Sequence, residues 1–410
     1  MTDAARLATD DLAVVTRPAP VLSVEGLLAA SDDDAVLWHP PGGPLWLGLG
    51  VAARFRASGP DRFERIAEAA RAVLAEAPEL RAFAGFAFAP GASDDDVWRG
   101  FAEAEAVLPR INYVLHQGRA TLSTVGGELP LPTPRLRPAS LAPPNVQRRD
   151  HSDAEYIAAV RAIGDGIASG AFDKVVVARR VDLELSPSVD PPRVLQRLAS
   201  IAPACTRFAF RRSGRWFLGA TPERLVEKRG REIRTEALAG SAPRGADAAL
   251  LASAKDRAEH RHVVDEIRAR LEALGARVEV ASEPELRALS HVVHLRTPIV
   301  AQLSADRHVL EVLAQLHPTP AVGGVPRAAA LEWLAKNEPF ARGWYASPVG
   351  WFDAAGDGEL AVALRSAVLD GPRAHLFAGA GIVQGSTPEG ELAETRLKLE
   401  ALARALGVEA

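Results

Sequence analysis

The chain has 410 residues, 48% hydrophobic and 24% charged, which is the composition of a folded globular protein and excludes disordered and fibrous classes. Its 48 basic and 52 acidic residues leave a net charge of −4, so no global field draws nucleic acid or an anionic membrane, and an anionic ligand must be met by local charges. The single cysteine, Cys205, excludes an intramolecular disulfide and a thiolate metal cage; with no apolar run of about 18 residues and acids early in MTDAARLATDDLAVV, the expectation is a soluble cytoplasmic protein.

The first 149 residues are alanine-rich and carry few chemical signals. Phe63, Ile66, Val73 and Leu74 recur at helical spacing behind Pro60 and Asp61, which predicts a packing helix. Repeated prolines between Gly126 and Pro144 deny helical hydrogen bonds and predict a linker or crossover. Ser152 and Glu155 then form a capping box ahead of Tyr156, Ile157, Val160, Ile163 and Ile167, with Gly170 as the stop, so a second region is expected over 150–410.

From there helices alternate with β-rich segments: KVVVARR, RWFLGA, SPVGWFD, ELAVALRSAV and AHLFAGAGIV, with AAGDGE joining two of them as a hairpin. Hairpins argue against an all-parallel sheet. The expected fold class is α+β, with large antiparallel sheets and helices on their outer faces.

Several constellations could carry chemistry. Lys174 opens KVVVARR and shares a face with Val176 and Ala178, where desolvation could make it a base, although a lysine at a strand start is more often exposed. Glu223 follows an apolar strand in Ala-Thr-Pro-Glu, a place for an acid or equally a helix start. The apolar stripe of Val263, Val264, Ile267 and Leu271, extended backwards, brings Asp256 and His260 inward and Glu259 to its edge; the alternative is an ordinary acidic first turn.

Near the C-terminus, ELAVALRSAV read as one strand puts Arg365 on the face of Ala361 and Ala363, with room for a carboxylate before the guanidinium. Gly379 and Gly381 allow backbone amides to approach an anion. Glu391, Glu394 and Lys398 share one flank of the last helix. They are either a solvated pair with a neighbour or, together with the acids of the earlier helix, a place for a hard cation such as Mg2+.

Nine blocks in order resemble the chorismate-utilising enzymes, which comprise isochorismate synthases, salicylate synthases and the large subunits of anthranilate and aminodeoxychorismate synthases. They are FDKVVVARR, FLGATPERLV, TEALAGSAPRG, KDRAEHRHVVDEI, HLRTPIVAQL, HPTPAVGGVPR, EPFARGWYASPVGW, AVALRSA and LFAGAGIVQGSTPEGELAETRLK. The resemblance covers about residues 150–410 and implies the fold of that family, with residues 1–149 as its variable N-terminal part.

It further implies that Lys174 is the base that activates water and Glu223 the acid that protonates the departing hydroxyl. Glu259 and Glu394 resemble Mg2+ ligands and Glu391 the second acid beside the metal. Gly240, Ser241, Ala321, Tyr345, Arg365, Gly379, Gly381 and Lys398 resemble substrate contacts, and His294 a polar wall of the pocket. A lysine at 174 and the His317-Pro-Thr-Pro-Ala321 block resemble the isochorismate synthases more than their sisters. The implied reaction is Mg-dependent water addition to chorismate at C2 with loss of the C4 hydroxyl. The alternatives are a salicylate synthase, an anthranilate or aminodeoxychorismate synthase component, and an inactive chorismate binder. The expected partner is this small molecule alone, with no nucleic acid or membrane, on a monomer or weak oligomer.

Overall fold

The computed structural model describes residues 3–7, 12–32, 34–91, 95–135, 144–150, 153–288 and 292–408. Ser152, the expected cap, and residues 136–143 of the proline-rich stretch lie outside the described residues. Among those described, the chain builds two large antiparallel sheets of eleven and twelve strands. The first runs Asp3–Leu7, Ala53–Ala57, Ala104–Leu108, Ala82–Phe86, Pro348–Phe352, Gly358–Val362, Arg224–Arg229, Glu232–Pro243, Val292–Leu303 and Ala276–Val280, with Glu285–Ala288 also on Val292–Leu303. The second runs Asn145–Asp150, Lys174–Ser186, Arg373–Ile382, Ser366–Asp370, Arg215–Thr221, Thr206–Arg212, Ala35–His39, Leu45–Leu49, Ile111–His116, Arg119–Val125 and Val14–Ala19, with Gly324–Val325 against Lys174–Ser186. Strands from before and after residue 150 mix in both sheets.

The sheets face each other across one core, to which Phe55, Phe83 and Trp351 come from the first and Trp38, Phe208 and Phe217 from the second. A second core covers the far face of the second sheet, where Leu218 and Leu376 meet Leu27, Leu195 and Leu402 of helices Val24–Ala30, Pro191–Ile201 and Pro388–Leu406. Helix Arg62–Glu76 buries Phe63, Ile66, Val73 and Leu74, the stripe expected from their spacing. The hairpin expected at AAGDGE joins Pro348–Phe352 to Gly358–Val362, closing with Phe352 opposite Gly358.

One strand expectation is corrected. ELAVALRSAV is two strands, Gly358–Val362 in the first sheet and Ser366–Asp370 in the second, and Arg365 at the break has φ +51°. It therefore does not continue the face of Ala361 and Ala363. Both strands are largely buried, and the apolar run from Leu360 to Leu364 resumes from Ala367 to Leu369, so the pattern reads unbroken across a crossing between sheets. A non-glycine residue in the left-handed region costs roughly 1–2 kcal/mol, which marks Arg365 as held by its surroundings.

A second crossing lies alongside. The chain leaves the second sheet at Thr221 and enters the first at Arg224, with Pro222-Glu223 between, so the Thr-Pro-Glu run starts no helix. The two crossings are bonded together: Thr221 Oγ1 donates to Val362 O at 2.6 Å, Val362 N to Glu223 O at 3.1 Å, and Ala220 N to Arg365 O at 3.3 Å. Antiparallel pairing of two sheet-to-sheet crossings thus brings Glu223 and Arg365 to one rim.

Candidate active site

That rim opens on a cavity of about 230 Å³. Thirteen of the fourteen expected site residues line it: Glu223 and Arg365 from the crossings, Gly240, Ser241 and His294 from paired strands, Ala321 and Tyr345 from loops, Gly379 and Gly381 from Arg373–Ile382, and Glu259, Glu391, Glu394 and Lys398 from two helices. Lys174 is the exception. It is buried one layer back, its Nζ donating to Glu259 Oε1 at 2.8 Å.

Glycines make these approaches possible. A Cβ on Gly381 would lie 2.7 Å from Glu259 Oε1 and 2.8 Å from Lys174 Cε, and one on Gly379 would lie 3.2 Å from the Tyr345 hydroxyl. Gly240, at φ +76°, sits where the register slips between Ala239 and Ser241, and its missing side chain admits Asp256 of helix Ala254–Ala273. Ser253 caps that helix by accepting from Asp256 N at 3.2 Å. The capping turn thereby delivers Asp256 and Glu259 to the cavity together.

Charge is arranged unevenly around the wall. Burial, with Glu236 as the next contributor, pushes Glu223 up to about 8, against the pull of Lys174, Lys398 and Arg287. At neutral pH its carboxyl is mainly protonated and can donate. Burial holds His294 well below the ordinary histidine value, so its ring is neutral; Nδ1 lies 2.9 Å from Ser241 Oγ, and Nε2 has no hydrogen-bond partner among the described residues. Burial likewise raises the Tyr345 phenol, which keeps its proton and stacks on Phe377 at 5.1 Å.

Two arginines reach the cavity with opposite endowments. Arg342, which the sequence reading did not single out, is saturated: it bonds Glu338 in bidentate fashion and donates to Val322 O and Val176 O. Arg365 donates to Lys398 O at 3.3 Å and has no carboxylate partner among the described residues, so its guanidinium is available to an anion. The signal for Arg342 was Glu338 four residues earlier, a pairing that reads as an ordinary surface pair until its burial is seen.

The acids come in two pairs at spacing i, i+3: Asp256 with Glu259, and Glu391 with Glu394. Lys174 balances Glu259, and Lys398 balances Glu394 at 2.6 Å. No three His, Cys, Asp or Glu side chains among the described residues converge tightly enough to hold a metal alone. A hard cation that keeps waters and shares a ligand with its substrate needs only one or two protein carboxylates, and the oxygen-only donor set fits one. The Gly381 notch, which Glu259 occupies, leaves that carboxylate space beside the cavity.

The chorismate binding enzyme family profile matches residues 5–126 and 133–407. The salicylate biosynthesis isochorismate synthase of Pseudomonas aeruginosa is 38% identical over 422 aligned positions, covering 95% of this chain and 88% of that protein. Isochorismate synthase MenF of Bacillus subtilis is 33% identical, covering 80% of this chain and 74% of its own. Among solved structures, the menaquinone-specific isochorismate synthase MenF of Escherichia coli superposes with a TM-score of 0.82 at 28% identity, over 98% of this chain and 96% of that one. The chain belongs to the chorismate-binding enzyme family, and its two antiparallel sheets with outer helices are the fold of that family.

Proposed function

We propose that this member of the chorismate-binding enzyme family is a Mg2+-dependent isochorismate synthase that adds water to chorismate at C2 and expels the C4 hydroxyl. The observation that carries the reading is Glu223, a carboxyl buried in the cavity wall and still protonated near neutral pH, because hydroxide cannot leave without a proton. The names of the relatives favour isochorismate over the products of the sister enzymes.

The roles follow from placement. Chorismate carries two carboxylates, and burying both requires two separate receptors. Arg365, with the Tyr345 hydroxyl beside Gly379, would take the enolpyruvyl carboxylate. Glu259 and Glu394 would hold Mg2+, with Asp256 and Glu391 beside them, and the ion would supply the charge that lets the ring carboxylate sit among acids. Ser241, His294, Gly240 and Ala321 shape the wall around the ring. Glu223 gives its proton to the departing hydroxyl.

Lys174 would take the proton from water once it has left its ion pair with Glu259 and released its own ammonium proton, and its position makes a demand. Its amine now faces the Glu259 carboxylate, so it reaches the ring only if Glu259 turns toward the cavity. The glycine at 381 makes room for the pair as it stands, since a Cβ there would lie 2.7 Å from Glu259 Oε1 and 2.8 Å from Lys174 Cε.

Turnover in heavy-oxygen water tests the reaction class. Isochorismate carrying one heavy oxygen in its ring hydroxyl is the expected result, and product that retains only the original oxygens would rule out water addition.

A further inference from the structure

Glu236 lies on Glu232–Pro243, two residues before Leu238 of the cavity wall and on the same side of the strand, and it is buried. Its carboxylate is gripped from below: Arg287 donates to Oε1 and Oε2 at 3.1 and 3.3 Å, and Arg296 donates to Oε2. From above, Oε1 accepts the backbone N–H of Arg224 at 3.3 Å, the residue that follows Glu223 in the crossing. Two arginines from two strands therefore hold one anion against the backbone that presents the acid. Nothing in the reaction outlined above uses this clamp.

We propose that Glu236, clamped by Arg287 and Arg296 under the Pro222-Glu223-Arg224 crossing, is a positioning residue that fixes the backbone of Glu223 and sets a held negative charge against its side chain. The inference rests on Glu223 being the acid of the proposed reaction. Its physics is that of two carboxyls near each other in a buried place: the negative charge of one opposes ionisation of the other. Glu236 has Arg287 and Arg296 in direct contact. Glu223 has no cation in hydrogen-bond contact among the described residues, and feels Lys174 from Lys174–Ser186, Lys398 from the last helix and Arg287 from Glu285–Ala288 only at longer range. Burial is the larger cause that opposes these three, and the like charge of Glu236 adds to it.

The sign of each charge change differs between variants, which separates tuning from mere support. Removing the anion in Glu236→Gln should move the titration of Glu223 to lower pH by on the order of one to two pH units, whereas Glu236→Asp should keep it. Arg287→Gln removes a cation and should move it upward, and with Arg287 a quarter exposed this variant is the less demanding on folding. The readout is the infrared band of the protonated carboxyl that disappears in Glu223→Gln, followed against pH in each folded variant, beside the pH profile of kcat with chorismate.

Opposite shifts of the band in Glu236→Gln and Arg287→Gln, matched by the alkaline limb of kcat, are the expected result. An unmoved band in both, with kcat merely scaled at every pH, would overturn the proposal. Because the band needs no turnover, a failure of the chorismate reaction would show as absent product with the shifts intact, and is thus told apart from a failure of the clamp.

Discussion

A carboxyl and a guanidinium carry most of the chemical argument, and each owes its state to where the chain crosses between sheets. Glu223→Gln should fold and bind but lose about 10²–10⁴-fold in turnover, the worth of a placed proton donor, with kcat of the parent falling as pH rises through about 8. Turnover within a few-fold of the parent, measured at saturating chorismate, would remove Glu223 from the reaction. Arg365→Ala should weaken chorismate binding by about 2–5 kcal/mol, because a buried carboxylate loses its partner, and calorimetric titration reads it directly. The nature of these residues was visible in their motifs, but their setting was not. Arg365 was expected on a continuous strand, and only the break at φ +51° shows how its side chain comes to the rim.

At the scale of elements, helices and hairpins were legible from local pattern. The stripe of Phe63 to Leu74, the stop at Gly170 and the AAGDGE turn all depend on neighbours within a few residues. What depends on distant partners was not legible: the crossings, the saturation of Arg342, and the withdrawal of Lys174 behind Glu259, since none of these leaves a periodic trace. Gly381 joins strand Arg373–Ile382 to helix Ala254–Ala273 and gives a test at this scale. Gly381→Ala forces a methyl against Glu259 and Lys174, and such overpacking costs about 1–3 kcal/mol. Melting should fall modestly while turnover falls by more than about tenfold, because misplacing a catalytic group by about 1 Å weighs on rate more than on stability. A variant that loses stability but keeps its rate would separate this contact from the reaction.

Across the whole molecule, buried histidines tie the two parts of the chain and set its acid limit. His317 of the HPTP block lies 3.0 Å from Phe88 O and packs edge-on against Phe63 and Phe88, so it joins residues on either side of position 150. Burial lowers His260, His294 and His317, and brings His39 and His308 to about 4. Each stays neutral when folded and charges when unfolded, so the unfolded chain binds more protons between the folded value and about 6.5, and stability falls as pH drops through that window. Glu223, Asp353 and Glu359 are raised and act in the opposite sense, but they are fewer. Melting temperature should therefore decline from pH ~7 to ~5. His308→Asn, which keeps an acceptor at the start of helix Val309–Leu316, should flatten that decline, and an unchanged slope would exclude His308 as a contributor.

The proposed reaction turns chorismate into isochorismate in this cavity with a divalent ion. Its most direct test is chromatography of the products after incubating the purified protein with chorismate, once with Mg2+ and once after chelation. Isochorismate should be the sole product, formed with Mg2+, abolished by the chelator and restored when the ion is added back. Full activity after chelation, or salicylate with pyruvate, or no conversion at all, would contradict it.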